Sequence, residues 1–339
     1  MHRTRPRKVI LDCDIGWMND DCTATIFALK SPELQVLGIT PVAGNFDLNW
    51  ETACALRLLE ILGREDVPVC PGFDRPLLHE RGDYEDQVWG EWATFKPVDL
   101  IPPGLPTIEP DPRHACDFIA QSILENPGEV SILAMGPLTN VAVTIRKYPR
   151  VVPLVDELIV MGGAVATLPR GHGNITPMAE FNFWVDPEAA RIVLRSGAPI
   201  VLCPLNVCRR TRFERQYFDR LTSAGSAHPE VAELFRGYLQ PHFDHPEVDK
   251  ESPRLFYGLY DQILVAYALR PAWFTTVLMN VDVNVTPGPE YGASYGYTNA
   301  PYQSGLDQWP LDDGSQVAKV AYDAELETFV GLYVSTLTE

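Results

Sequence analysis

The stretch Val9-Ile10-Leu11-Asp12-Cys13-Asp14-Ile15-Gly16-Trp17-Met18-Asn19-Asp20-Asp21 decides how the chain is read. It opens as an apolar, β-branched run with no turn former before Asp12, the pattern of a buried strand. Four carboxylates then fall within ten residues, and Cys22-Thr23-Ala24-Thr25-Ile26-Phe27-Ala28-Leu29 continues as a helix. In an extended strand Asp12 and Asp14 point to the same face. Asp20 and Asp21 stand where the helix starts, a place where capping preference and the helix dipole both favour acids. Two readings follow. The acids are a helix cap plus loop residues, or a hard divalent cation gathers their oxygens, since clustered like charges otherwise repel.

Composition narrows the function classes. The net charge of −18 over 339 residues argues against a nucleic-acid backbone or an anionic membrane as the main partner. It suits a protein that concentrates a cation and acts on a neutral small molecule. The basic start Arg3-Thr4-Arg5-Pro6-Arg7-Lys8 precedes no long apolar run, so neither a signal peptide nor a membrane anchor is expected, and a cytoplasmic location is. The seven cysteines form no C-x-x-C pair and lie mostly in apolar runs, which reads as buried reduced thiols. His242 and His245, each beside a proline, read as a surface loop. A phosphate-binding glycine loop, a serine elbow and a basic stripe are all missing from the sequence.

Outward from the acidic turn, helix and strand alternate. Strands are expected at residues 8–11, 34–40, 67–70, 130–134, 158–160, 199–202, 274–286 and 318–322. Helices are expected up to residue 30 and at 49–62, 114–126, 141–147, 187–196, 260–269 and 324–337. Near-continuous apolar strands in a βα alternation predict an α/β fold: an open, mostly parallel sheet with helices on both faces. In such sheets the active site lies beyond the carboxyl ends of the strands. No composition break divides the chain, so residues 1–339 read as one domain. An aromatic-rich loop at 75–110, with Trp89, Trp92 and Phe95, and a helical region at 213–260 are expected to cover the site. The segment 287–308 reads as a Gly/Tyr/Asn-rich loop.

With these residues set out, the chain resembles the inosine–uridine preferring nucleoside hydrolase family from Val9 to the C-terminal helix. The family's D-x-D-P-G-x-D-D turn is present as Asp12 to Asp21, with Ile15 in place of proline and Met18-Asn19 inserted. V-x-G-N is Val42 to Asn45, and G-P-L-T-N is Gly136 to Asn140. Met161-Gly162-Gly163 and Gly173 to Asn182 match the M-G-G…G-N-x-T-P-x-A-E-F-N block, and Asp261 is the late aspartate at a helix start. The resemblance implies Ca²⁺ held by Asp14, Asp21, Asp261 and the Met135 carbonyl, with Asp14 as the base for a calcium-bound water attacking C1′. It implies that Asp20 and Asn182 hold the 2′- and 3′-hydroxyls, and that Asn174 and Glu180 hold the 5′-hydroxyl. Asn45 is a further ligand on the ribose or calcium side, and Asp12 supports the site. A homodimer or homotetramer is implied as well.

Two departures bear on the base. A histidine commonly precedes the late aspartate in the pyrimidine-accepting branch, and here Tyr260 stands there. A second histidine, in a V-H-G motif, is replaced by Trp89. Aromatic residues at both positions resemble the purine-specific branch, in which stacking raises the basicity of the ring. A purine between Trp89 and Tyr260 is therefore expected, with Trp17, Trp92, Phe183 and Trp184 as further wall candidates. The alternatives are hydrolysis of a modified nucleoside or other N-riboside, and a nucleoside-binding protein with weak or lost catalysis.

Overall fold

A computed structural model of the chain describes residues 5–78, 104–223, 225–244, 256–297 and 316–339. Its centre is β1 (Arg7–Cys13), where Val9, Ile10 and Leu11 are all fully buried, so both faces of this strand are covered. On one side β1 pairs with β2 (Leu34–Pro41). On the other the sheet runs β3 (Val130–Ala134), β4 (Leu158–Met161), β5 (Ile200–Cys203), β10 (Gln316–Ala324), β8 (Phe274–Val283) and β9 (Ser294–Tyr297). From β2 through β5 to β10 every pairing is parallel, and β8 and β9 join antiparallel at the far edge. The mostly parallel open sheet expected from the apolar strands is what forms.

Alternating side chains feed two cores. Val9, Leu11, Leu133, Ile159 and Val201 pack with helices Asp20–Lys30, Leu48–Leu62, Gln262–Leu269 and Leu326–Thr338. Ile10, Ile132, Leu158, Val160 and Leu202 pack on the opposite face with helices Ala115–Glu125, Thr139–Lys147 and Pro187–Leu194. Each fully buried Ile, Leu or Val contributes about 1.5–3 kcal/mol, so the central strands are held from both sides. After β1 the chain goes to one side for β2 and then crosses to the other for β3. The strand order reverses at β1, and a ligand crevice is expected beyond the carboxyl ends there.

Two predicted elements differ. Residues 67–70 form a single parallel bridge, Ile39 to Val69, rather than a strand. The Ile39 N–H donates to the Pro68 carbonyl, and Pro68 has no N–H with which to extend a ladder. The predicted loop at 287–308 contains β9, where Ser294–Tyr297 pair with Asn280–Val283. A separate two-stranded ribbon joins β6 (Phe213–Glu214) and β7 (Phe256–Tyr257), and helices Arg215–Leu221 and Pro229–Asp244 lie within the predicted helical region. All seven cysteines are free and buried. Among the described residues no helix is long and apolar enough to cross a membrane.

Candidate active site

Strand β1 ends at Cys13, so Asp14 is placed by the loop that follows and not by the strand's alternation. Its side chain is buried, and the Asn45 N–H donates to its Oδ2 at 2.8 Å. The Asn45 side-chain amide donates to the Asp14 carbonyl at 3.1 Å, and the Asp14 N–H donates to Asp21 Oδ1 at 3.2 Å. Asp14, Asn45 and Asp21 thus form one hydrogen-bonded unit at the end of the central strand. Burial, then the charges of Asp21, Glu51 and Asp20, push the Asp14 carboxyl well above the ordinary range.

Asp20, Asp21 and Asp261 each offer a carboxylate oxygen within 4.8 Å of the others. The first two open helix Asp20–Lys30, and the third precedes helix Gln262–Leu269. Burial, reinforced by the charge of Asp20, raises Asp21 to about 7. Burial also raises Asp261, with Asp20, Asp21 and Asp14 adding to it. The buried Oδ1 of Asp261 has no hydrogen-bond partner among the described residues, and its side chain makes no capping bond. Asp261 thus stands at its helix start without a capping bond. A compact set of mutually repelling oxygens, two of its three acids buried and one acceptor orphaned, is what a hard divalent cation satisfies, and the residues fit such an ion.

The remaining predicted residues fall around this centre. The main-chain Met135 N–H, just past β3, bonds the Asp12 carbonyl at 2.7 Å, and the Met135 carbonyl accepts from the Asn182 side-chain amide. Asn182, expected on sugar hydroxyls, thus lies against a carbonyl expected on the cation. Glu180 is buried and caps helix Phe181–Val185. Its two oxygens accept the N–H groups of Gly163, Asn182 and Phe183 at 2.8–3.1 Å. Asn174 is exposed, and its Oδ1 accepts from the Phe181 N–H at 2.9 Å. Asp12 points to β2 and the G-P-L-T-N loop. Its Oδ2 accepts from the Thr40 hydroxyl at 2.7 Å and from the Asn140 amide at 3.0 Å, and burial still holds its pKa at about 7.

Tyr260 is half-buried against the core helices beside Asp261. Trp89 and Trp92 lie outside the described residues. Trp17 and Phe183 are buried in the two cores, while Trp184 is half-buried.

Residues beyond the expected ligand set also organise the site. Asn19, not Asp20 or Asp21, caps the first helix by accepting from the Cys22 N–H at 3.0 Å, and it donates to Asp21 Oδ2 at 2.9 Å. The preference of asparagine for the cap position was the available signal. Asn140 donates to Asp12 and to the Pro41 carbonyl and accepts from the Phe73 N–H. Asn206 accepts from the Val165 N–H and donates to the carbonyls of Val165, Leu168 and Pro169, which pins the loop after β4. Arg209 grips the next part of that loop at the carbonyls of Arg170, His172 and Gly173. Gln262 donates to the Asp20 carbonyl at 3.2 Å and to the Thr23 hydroxyl, tying the two acid-bearing helix starts together.

The site can be set beside known proteins. The family model described as "Inosine-uridine preferring nucleoside hydrolase" matches residues 9–331. The chain is 34% identical over 333 residues to the pyrimidine-specific ribonucleoside hydrolase RihA of Citrobacter koseri, covering 97% of each protein. Among solved structures it is similar to a plant nucleoside hydrolase, the PpNRh1 enzyme, with a TM-score of 0.82 and 29% identity over 98% of this chain and 99% of that one. It is also similar to a purine-preferring ribonucleoside hydrolase from Gardnerella vaginalis, with a TM-score of 0.80 and 26% identity over 98% of each chain. The match spans the acidic turn, the glycine loops and the late aspartate together, so this chain belongs to the inosine–uridine preferring nucleoside hydrolase family.

Proposed function

We propose that the chain hydrolyses purine ribonucleosides in a calcium-dependent reaction that releases the free base and ribose. Hydrolysis of a ribonucleoside N-glycosidic bond follows from the family; the cation and the base are our reading. The observation that carries it is the meeting of Asp20, Asp21 and Asp261 within 4.8 Å beside the buried Asp14. Asp14, Asp21, Asp261 and the Met135 carbonyl are the ligands in this reading. A calcium ion bound there supplies Lewis acidity and a template for the sugar diol.

Asp14 takes the proton from the water that attacks C1′. The Asn45 N–H on its Oδ2 holds the carboxylate in place for that transfer. As the bond to the base breaks, positive charge grows on the sugar ring, and the surrounding carboxylates stabilise charge that is absent from the ground state. Asp20 and Asn182 orient the 2′- and 3′-hydroxyls, Asn174 and Glu180 the 5′-hydroxyl, and Asn45 the adjoining edge. Asp12 acts from behind through Thr40 and Asn140. We further read the chain as one domain, with segments 75–110 and 213–260 covering the site, that assembles as a homodimer or homotetramer.

The purine assignment rests on Tyr260 and Trp89 as stacking faces for the base. The names of relatives divide: the Gardnerella vaginalis enzyme is purine-preferring and another neighbour is an inosine-guanosine nucleoside hydrolase, while RihA is pyrimidine-specific. The 34% identity to RihA favours a second reading in which uridine or cytidine is the better substrate. Release of hypoxanthine from inosine and of uracil from uridine, with calcium or with excess chelator, decides between them. Inosine is expected to turn over faster, and Asp14→Ala to lower the rate about 10²–10⁴-fold. Faster uridine turnover overturns the purine assignment, and indifference to chelator overturns the cation.

A further inference from the structure

We propose that Asn19, which arrives with the two-residue insertion in the acidic turn, is a positioning residue that sets the Asp21 carboxylate for the divalent cation. The proposal rests on the cation reading given above. Asn19 divides its side chain between two tasks: Oδ1 accepts from the Cys22 N–H at 3.0 Å, and Nδ2 donates to Asp21 Oδ2 at 2.9 Å. The first contact fixes the second. Only the carbonyl end of an amide can accept from Cys22, so the NH₂ end must face Asp21.

Asp21 is then held at both oxygens. Its Oδ1 takes the Asp14 N–H at 3.2 Å, while the other donor near Oδ2, the Asn45 amide, stands farther away at 3.5 Å. Among the described residues Asn19 is therefore the nearest donor to Oδ2, and with Asp14 N–H it fixes the plane of the carboxylate while leaving lone pairs for an ion. The inserted residues are themselves anchored. Met18 is wholly buried, and the Thr23 N–H and hydroxyl both donate to the Asn19 carbonyl at 3.1 Å. Capping alone does not select asparagine here, because serine and aspartate cap equally well. Of the three, only asparagine offers an acceptor to the helix and a neutral amide donor to the carboxylate, and aspartate would add a like charge to the cluster.

The test uses the full chain stripped of metal, with Asn19→Ser and Asn19→Gly. Serine keeps a capping oxygen, glycine is a tolerated cap, and neither has an amide to reach Asp21. Calcium affinity is measured by titration calorimetry, and thermal unfolding is measured in excess chelator. Both variants are expected to bind calcium about tenfold more weakly or worse, the scale of loss when a partner of a metal ligand is removed. In chelator, Asn19→Ser is expected to unfold at the parent's temperature. Calcium binding by Asn19→Ser within twofold of the parent overturns the role of Asn19 and leaves the cation reading standing. Failure of the parent itself to bind calcium overturns both.

Discussion

Glycine at positions 44 and 136 follows from how closely the main chain passes Asp14. A Cβ on Gly44 would lie 2.2 Å from Asp14 Oδ2, and one on Gly136 would lie 2.8 Å from both the Asp14 nitrogen and Oδ1. The glycines of V-x-G-N and G-P-L-T-N are thus the walls of a cradle for one carboxylate, and the motifs carry physical content beyond resemblance. Gly44→Ala is expected to push Asp14 aside and lower kcat about 10²-fold, since small displacements of a reacting group cost large factors. The far-ultraviolet circular dichroism should stay that of the parent. Turnover within twofold of the parent would show that Asp14 tolerates the shift. The acids of this turn were legible in the sequence because their spacing is a pattern. The division of labour among them was not: the cap belongs to Asn19, and Asp261 makes no capping bond, because which oxygen faces which N–H depends on loop conformation.

Asp186 shows the same limit for secondary-structure elements. It caps helix Pro187–Leu194 through the Ala189 N–H at 3.0 Å, and its Oδ2 accepts from the Leu77 N–H at 3.0 Å and the Thr139 hydroxyl at 2.6 Å. One buried carboxylate therefore joins three segments more than forty residues apart. The helix was predictable from its proline and apolar period; the joint was not, because a single sequence carries no sign of contacts at that separation. Asp186→Ala is expected to destabilise the fold by roughly 2–4 kcal/mol, from a lost cap and buried donors left unpaired. Burial raises the Asp186 pKa from 3.8 to about 6, even against these three donors. The folded state thus holds the proton more tightly than the unfolded state. Its contribution is fully present below pH 3.8 and is lost as pH rises through about 6. In Asp186→Asn that titration is removed, so the parent should lose ground relative to the variant between those values. Unfolding midpoints of the two proteins across that range check it, and a constant difference would refute it. Strand β9 was missed for a related reason: Ser-Tyr-Gly-Tyr reads as a loop until β8 supplies its partner.

For the molecule as a whole, the sheet brings together what the sequence separates. The parallel βα alternation and the crevice beyond the strand ends could be read from apolar runs, and the sheet order places the reversal at β1, beside Asp14. The convergence of two helix starts some 240 residues apart could not be read without the family's pattern. Gln262 fastens them, reaching the Asp20 carbonyl and Thr23 on the first helix from the first turn of the second. Bringing Asp21 and Asp261 together concentrates negative charge in a chain already at −18, and the donors reaching Asp21 are amide and main-chain N–H groups. Folding without a cation therefore works against repulsion in the buried cluster, and a cation that binds only the folded form must stabilise it. At a free calcium concentration a hundredfold above Kd the gain is about 2.7 kcal/mol. Excess chelator is accordingly expected to lower the unfolding temperature, and added calcium to restore it. Asp261→Ala removes one carboxylate and, on the proposed reading, one ligand, so it should unfold in chelator no earlier than the parent and should gain little from calcium. An Asp261→Ala protein that responds to calcium as the parent does would place the ion elsewhere.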